Sequence, residues 1–493
     1  MTSVPVSVSR DSAELFSSDE APRIIPEARR LIREANAEAG TWVIVLDDDP
    51  TGSQAVHGVP VLTRWQRDDL LWAFDQPGGV FFILTNTRGL NPGEATGVLT
   101  EIAESVAAVT RESGTHYEFI TRGDSTLRGH YPLETDVLAA MAGAQGEPYD
   151  ALLIAPAYLP AGRITSGDSH WVRSGDRFTP VAETDYARDA TFGFASSDLK
   201  LYVEEKTHGR VSAGTVLSIG LDDIRLGGPD RVCEIILSAR DATPIVVNAT
   251  VEADLDVAVL GLTMAEALGA RVLCRTGPSF VAARIGLEPR PPLTHADIFS
   301  SGKRQGNGLV VVGSHVELTT AQVDHLLAVI SDVAVIELDV TALLDTEQRS
   351  EELDRCGREL VAALRSGDAL LMTSRRQVVG DSGHSSLVIA QTVSAALVGL
   401  TALAVDSVPL GWVMAKGGIT SSDTATGGLG IRRATVVGQL FPGIVSVWVN
   451  EGDDHTGLLG LPYIVFAGNV GEATTLADAV TIMRGDRLYD TAA

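Results

Sequence analysis

THYEFITRGDSTLRGH, residues 115–130, runs from an apolar, β-prone stretch straight into a loop of Arg, Gly, Asp, Ser and Thr. A helix-like segment follows it through Met141. Strand, polar loop and helix in that order form the repeating unit of an α/β sheet. The unit recurs on both sides. TWVIVL (41–46) runs into DDDPTGSQ, and GGVFFILTNTRG (78–89) precedes the helix-like PGEATGVLTEIAESVAAV. YDALLIAPAYLPAGR (149–163) repeats the pattern, and TPIVVNAT (243–250) is a further strand. Strands alternating with amphipathic helices predict an α/β fold with a mostly parallel sheet flanked by helices. In such sheets ligands sit at the carboxyl ends of the strands, where these polar loops fall.

Residues 286–308 (GLEPRPPLTHADIFSSGKRQGNG) are rich in proline and glycine and carry no apolar periodicity, which marks a linker. A second series then begins with GLVVVGSHVELTTAQVDHLLAVI, followed by VAVIELDV, DALLMTSRR, LGWVMAKGGITSSD and LPYIVFAGNVGE. The expected organisation is an N-terminal extension with a peripheral helix (1–40), a first domain (41–285), the linker and a second domain (309–485).

The chain has 493 residues and a formal net charge of −26. Its 45% apolar and 21% charged residues are those of a globular protein. The negative balance argues against nucleic-acid and anionic-membrane partners, which need basic patches. No uninterrupted apolar stretch is expected to reach the ~20 residues that cross a bilayer, and the N-terminus lacks the pattern of an export signal. A cytoplasmic protein is the resulting expectation, with a homodimer as the default assembly. Cys233, Cys274 and Cys356 are far apart and read as buried small apolar residues. His57, His315 and His384 have no metal-ligand spacing and read as structural.

Common signatures are missing. There is no GxxxxGK[ST] and no HExxH, and Gly427–Gly430 does not complete GxGxxG. Gly380-Asp381-Ser382-Gly383 matches a chymotrypsin-type nucleophile loop in four letters, but within an α/β pattern it reads as a turn or helix start. The strand-end loops are more informative. Asp47, Asp48 and Asp49 repel one another, so they need a cation, donors or water; one could accept a substrate proton or hold Mg2+, or the loop could be a solvated Asx turn. Arg122, Asp124, Ser125, Thr126 and Arg128 make a polar cradle for a hydroxylated anion, or the loop could be a capped helix start with Asp124 as N-cap; Arg88 and Arg163 follow neighbouring strands in the same way. Several strand-end arginines would give a positive pocket inside a negative protein, which suits a small acid. In the second domain, Val312-Gly313-Ser314-His315, Lys416-Gly417-Gly418-Ile419-Thr420 and Ala467-Gly468-Asn469-Val470-Gly471 are glycine loops that let backbone N–H groups approach phosphate.

Together these loops resemble the four-carbon acid sugar kinase family, over nearly the whole chain from Trp42 to about Arg484. The DD-x-TG motif falls on Asp48, Asp49, Thr51 and Gly52, and T-x-[ST]-R on Thr85, Thr87 and Arg88. DSTLRG is complete at Asp124–Gly129, and PA-x(3)-GR falls on Pro156, Ala157, Gly162 and Arg163. VGS with T-x-x-Q falls on Val312–Ser314, Thr319 and Gln322, GG-x-T on Gly417, Gly418 and Thr420, and the late PG on Pro442 and Gly443. Three features depart from the family pattern. The first loop has Pro50 and Ser53 where DDLTGA is common, Phe466-Ala467-Gly468 lacks the lysine of K-[ST]-G, and residues 165–207 suggest a subgroup.

The resemblance implies a kinase that moves the γ-phosphoryl group of ATP, with Mg2+, to a hydroxyl of a small sugar acid such as threonate, erythronate or an oxo-tetronate. It implies ATP contacts at Ser314, Gly417, Gly418, Ile419, Thr420 and Gly468. The acid would be held by Arg88, Asp124, Ser125, Thr126, Arg128 and Arg163, with Asp48 or Asp49 as base or Mg2+ partner. The competing expectation is a non-catalytic sensor of ATP and a sugar acid.

Overall fold

The computed structural model describes residues 10–11, 20–300, 306–313, 316–374, 383–452, 457–468 and 470–486. The chain divides into two compact units. One runs to Val56 and resumes at Arg64–Pro289; the other comprises His57–Thr63 and the chain from Arg290 onward. Numbered along the chain, the longer strands are β1 (Thr41–Asp47), β2 (Val59–Leu62), β3 (Val80–Leu84), β4 (His116–Arg122), β5 (Ala151–Ala155), β6 (Arg163–Ser166), β7 (Ser169–Ser174), β8 (Arg177–Pro180) and β9 (Leu217–Ile219). They continue with β10 (Thr243–Val247), β11 (Val272–Thr276), β12 (Asn307–Val312), β13 (Ala334–Leu338), β14 (Ala369–Thr373), β15 (Leu410–Lys416), β16 (Arg433–Phe441), β17 (Val445–Asn450) and β18 (Pro462–Phe466).

In the first unit the order is β9-β10-β5-β11-β4-β1-β3, and each of these pairings is parallel. Strands such as VFFIL and ALLIA are buried along their whole length because helices cover both faces. The helix Pro92–Ser113 has the sequence signals of both its ends. Asn91 and Glu94 form a reciprocal capping box, Pro92 opens the first turn, and Gly114 closes the last at φ 69°. Helix Ala28–Ala39 is tied to helix Glu252–Ala267 through Arg29, which binds Glu252 at 2.8 Å, Asp256, and the Leu287 carbonyl at 2.8 Å. A small antiparallel sheet, β6-β7-β8, closes over Ile164, Trp171 and Phe178.

The second unit carries the order β2-β16-β17-β18-β15-β12-β14-β13. From β18 to β13 the pairings are parallel, whereas β2, β16, β17 and β18 pair antiparallel. The antiparallel part shows the alternation expected of a sheet wet on one face: β16 is buried at every second residue. One core lies between Val310, Val312, Met414 and Phe466 of the sheet and Leu326 and Val480 of helices Glu317–Val329 and Thr475–Arg484.

Helix Gly383–Ser407 includes Val388–Ser407, which is long and apolar enough to cross a membrane. Its Ser, Thr and Gln residues interrupt the apolar run in the sequence without lowering its mean hydropathy below that of a span. In the structure this helix packs on its own unit. Leu397 approaches Gly313, Leu403 and Leu400 approach Gly357, and Thr401 lies against Gly428.

Candidate active site

Because the first sheet is parallel, the carboxyl ends of β1, β3, β4, β5 and β11 share one edge. Asp47 ends β1, with Asp48 and Asp49 next along the chain. Arg122 ends β4, and Arg88 stands in the turn Thr87–Gly89 after β3. Arg88 grips Asp48 with two nitrogens, Nη2 at 2.6 Å and Nε at 3.1 Å, and reaches Asp49 with Nη1 at 2.9 Å. Arg122 Nη1 donates to Asp47 Oδ1 at 2.9 Å and to the Asp49 carbonyl at 3.2 Å, and lies 3.5 Å from Asp48 Oδ1. Two arginines thus answer three adjacent carboxylates. Burial, opposed by Arg122, pushes the Asp47 carboxyl up to about 7. A Cβ on Gly52 would fall on the Asp47 carboxylate, so glycine leaves that carboxylate the room it takes beside Arg122.

Beside this cluster, Thr87 Oγ1 donates to Glu134 Oε1 at 2.7 Å, and His130 Nε2 faces the Thr87 and Leu90 carbonyls at 3.0 Å each. Glu134 is fully buried; desolvation and the nearby Asp48 raise its pKa.

The 123–130 loop is held from several sides. Burial alone would raise the Asp124 pKa, but Arg88 and Arg128 outweigh it and hold the carboxyl well below the usual range. Arg128 Nε donates to Asp124 Oδ2 at 2.7 Å, and the Thr126 hydroxyl donates to the same oxygen. The Ser125 carbonyl accepts from His170 Nε2 at 2.8 Å, and the Leu127 carbonyl from the Tyr202 hydroxyl at 2.9 Å. Leu127 itself sits at φ 69°, a strained conformation for a leucine. Arg163 opens β6 with its guanidinium 5.9 Å from the centre of the Tyr158 ring; its buried Nε has no acceptor among the described residues. Arg275, next to last in β11, is 1% exposed and lies against Gly123 and Gly129. It stacks 5.2 Å from the Tyr131 ring centre, and its Nε and Nη2 likewise find no acceptor. Orphaned buried guanidinium donors at one sheet edge are the mark of a site suited to an anion.

In the second unit the neighbouring parallel strands β18, β15 and β12 end in the three glycine loops. Gly417 adopts φ 120°, and its N–H donates to the Phe466 carbonyl at 2.8 Å. A Cβ on Gly313 would collide with the Thr420 hydroxyl, so these two loops meet closely. Thr319 Oγ1 donates to the Gly468 carbonyl at 2.8 Å, while Gln322 Nε2 donates to the carbonyls of Val470 at 3.1 Å and Glu472 at 2.7 Å. Lys416, fully buried, donates from Nζ to the Ala467 carbonyl at 2.9 Å and lies 3.7 Å from the Phe466 ring centre. Burial brings its pKa down to about 7. Backbone donors, hydroxyls and an ammonium group around glycines fit a polyphosphate.

Residues 43–284 match the sugar-binding N-terminal domain family, and residues 309–476 match the nucleotide-binding C-terminal domain family. The chain belongs to the four-carbon acid sugar kinase family. Among solved structures, it is similar to a Salmonella typhimurium LT2 protein provisionally named a tRNA synthase. The TM-score is 0.63 at 17% identity, covering 89% of this chain and 98% of that one. It is also similar to Haemophilus influenzae protein HI1011 of the family DUF1537, with TM-score 0.59 at 17% identity, covering 89% and 100%. At that identity the likeness concerns the fold. No curated protein matches the chain.

Asp48, Asp49, Arg88, Asp124, Ser125, Thr126 and Arg128 surround the carboxyl ends of β1, β3 and β4; Arg163 stands at the entry to β6. Ser125 contributes its carbonyl to His170. Gly417, Gly418 and Thr420 lie together, Ile419 is 67% exposed, and Gly468 faces Thr319 with its carbonyl. Ser314, His315 and Ser382 lie outside the described residues, as does Asn469. Pro442 and Gly443 form the turn between β16 and β17, with Gly443 at φ 67°.

Glu134, Arg275, Tyr186 and Asp189 were not among the residues inferred from the sequence. Arg275 carries the signal that singled out Arg88: an arginine and a threonine where an apolar strand hands over to Gly and Pro (VLCRTGP). Glu134, on helix Leu133–Ala144, carries no local signal because its partner Thr87 is 47 residues away. Among the described residues no group of three or more His, Cys, Asp or Glu side chains is disposed to hold a metal.

Proposed function

We propose that this protein transfers the γ-phosphoryl group of ATP to a hydroxyl of a small sugar acid, of the threonate or erythronate class. The observation that carries the reading is the Arg88–Asp48–Asp49 fork standing beside the uncommitted donors of Arg163 and Arg275. Such a site offers charge for a carboxylate and carboxylate oxygens for hydroxyl groups. The match to a nucleotide-binding domain supports ATP as the second substrate.

In the transfer, the acceptor oxygen attacks the γ-phosphorus, the bond to the β-phosphate bridging oxygen breaks, and ADP leaves. The hydroxyl proton passes to a carboxylate. Asp49 suits that role better than Asp48, since its side chain is 16% exposed against 2%, and Asp48 has both oxygens on Arg88. Arg88, Asp124, Ser125, Thr126, Arg128 and Arg163 surround the acid, while the Gly417–Thr420 and Gly468 loops hold the phosphates. Mg2+ would enter on the nucleotide phosphates, its usual mode of binding, rather than in a cage of side chains. Phosphoryl transfer of this kind rests on positioning and charge neutralisation.

The test is ADP release from Mg-ATP against a panel of threonates, erythronates, oxo-tetronates and longer aldonates. Turnover on one acid, abolished by Arg128→Ala and reduced at least a hundredfold by Asp49→Asn, is the expected result. Saturable ATP binding with no ADP release on any acid would replace the kinase with a nucleotide- and acid-binding sensor.

A further inference from the structure

The loop 185–195 is fixed by its own bonds and by those of its neighbours. Asp189 Oδ1 accepts from the N–H groups of Thr191 at 2.9 Å and Phe192 at 3.0 Å. Phe194 N–H donates to the Ala187 carbonyl at 3.1 Å, Ala195 N–H to the Glu205 carboxylate at 3.0 Å, and Lys206 Nζ to the Gly193 carbonyl at 3.3 Å. A Cβ on Gly193 would overlap the Asp189 carbonyl, so the turn is closed to other residues.

With Oδ1 held in that way, Asp189 Oδ2 faces Arg128 Nη1 at 3.9 Å. The Tyr186 ring lies against the same guanidinium, 5.0 Å from its carbon. On its other edge Arg128 Nε already serves Asp124 Oδ2 at 2.7 Å and Thr126 Oγ1 at 3.3 Å. One positive charge therefore meets two carboxylates and an aromatic face before any ligand arrives. The side chains of Arg128 and Asp189 are about a quarter exposed, so both can meet a ligand. Arg163 is the contrast: it has no carboxylate partner among the described residues, and its Nε has no acceptor. His170, bonded to the Ser125 carbonyl at 2.8 Å, is within electrostatic reach of both Arg163 and Asp124.

We infer that Asp189 is a specificity-determining residue acting at Arg128, with Tyr186 supporting the guanidinium from its face: Asp189 reserves that end of the site for the hydroxyl groups of a monocarboxylic acid and repels a second carboxylate. The acid group itself goes to Arg163. The inference rests on the sugar-acid reading above and sharpens it. A negative charge brought beside Asp189 and Asp124 meets two like charges; Arg128 is shared between them, and Arg88, the other cation acting on Asp124, is already bonded to Asp48 and Asp49. Such juxtaposition is an effective means of rejecting a ligand.

The experiment is isothermal titration calorimetry of the full chain with matched acids: threonate against D- and L-tartrate, and erythronate against meso-tartrate. The wild type should bind one monocarboxylate at least tenfold tighter than its dicarboxylate counterpart. Asp189→Asn keeps an acceptor for Thr191 and Phe192 while removing the charge, and should narrow that ratio about tenfold. Tyr186→Leu should weaken both members of a pair without moving the ratio, which controls for simple loosening of the loop. A ratio unchanged in Asp189→Asn, or a wild type that binds the tartrate as tightly, overturns the inference while leaving the sugar-acid reading in place. A wild type that binds none of these acids overturns both.

Discussion

His170 Nε2 donates to the main-chain carbonyl of Ser125 across 2.8 Å, from a side chain with no solvent exposure. A residue of the β7 strand thereby fixes the backbone of the 123–130 loop, 45 residues earlier in the chain. The Thr165 hydroxyl, 3.0 Å from Nδ1, completes the pairing of a neutral ring. Burial lowers the imidazole pKa from 6.5 to about 4. The unfolded chain takes up this proton near its ordinary value, whereas the folded protein does so only near 4. The stability is complete above pH 6.5 and is lost as the pH falls from there toward 4, by ~3 kcal/mol over the window. Asp47 and Glu118, raised by burial to about 7, act in the opposite direction. Comparison with His170→Gln cancels their effect. Urea unfolding at pH 7 and pH 5 should show the wild type losing more stability on acidification than the variant; equal losses would show that this histidine is not the source.

Arg88 presents a fork that lysine cannot reproduce. It holds both Asp48 oxygens and one Asp49 oxygen at once. A lysine supplies one compact charge in place of that geometry. Arg88→Lys should lower acid-dependent turnover by about a hundredfold, with kcat/KM as the readout, while circular dichroism stays that of the wild type. Near-normal turnover would mean that charge alone suffices.

Arg275 separates stability from function. A buried guanidinium with unmade hydrogen bonds costs desolvation that its aromatic neighbour offsets only in part, and an apolar replacement of similar volume is often neutral or stabilising. Arg275→Met should therefore leave the unfolding free energy unchanged or raise it by about 1–2 kcal/mol. Affinity for the acid, measured by calorimetry, should fall about tenfold, because the 123–129 loop and Asp48 lose the charge beneath them. A variant that unfolds more readily and binds normally would reverse this assignment.

Lys416 is one of only four lysines in the chain, against 34 arginines. An arginine cannot shed its charge, whereas a lysine can, and this one is buried with a carbonyl and an aromatic ring as its partners. Its folded pKa near 7 lies below the unfolded value of 10.5, so stability is complete above pH 10.5 and diminishes as the pH falls toward 7. At neutral pH, Lys416→Met should be more stable by on the order of 2 kcal/mol. ATP affinity should drop about tenfold in the same variant, read by fluorescence titration with a nucleotide analogue. A variant that is less stable and retains wild-type affinity would mark Lys416 as a purely structural donor to the 467–472 loop.

The division between what is local and what is not explains which features the sequence by itself determined. Continuous apolar runs such as VFFIL end in polar loops within a few residues, so the parallel α/β layout and the Asp49, Arg88, Asp124 and Arg128 loops were legible directly. A strand and the loop that follows it are covalently joined, and that join puts the loop at the carboxyl edge. The complete DSTLRG and GG-x-T segments made the family legible for the same reason. The tertiary structure alone decided who answers whom. Arg122 reaching Asp47, Glu134 receiving Thr87, His170 holding Ser125 and Asp189 facing Arg128 are each set by the packing of separate elements. No local propensity encodes such pairings. Burial likewise decided which groups titrate near neutrality: Asp47 and Lys416 carry ordinary side chains, and only their removal from water moves them there.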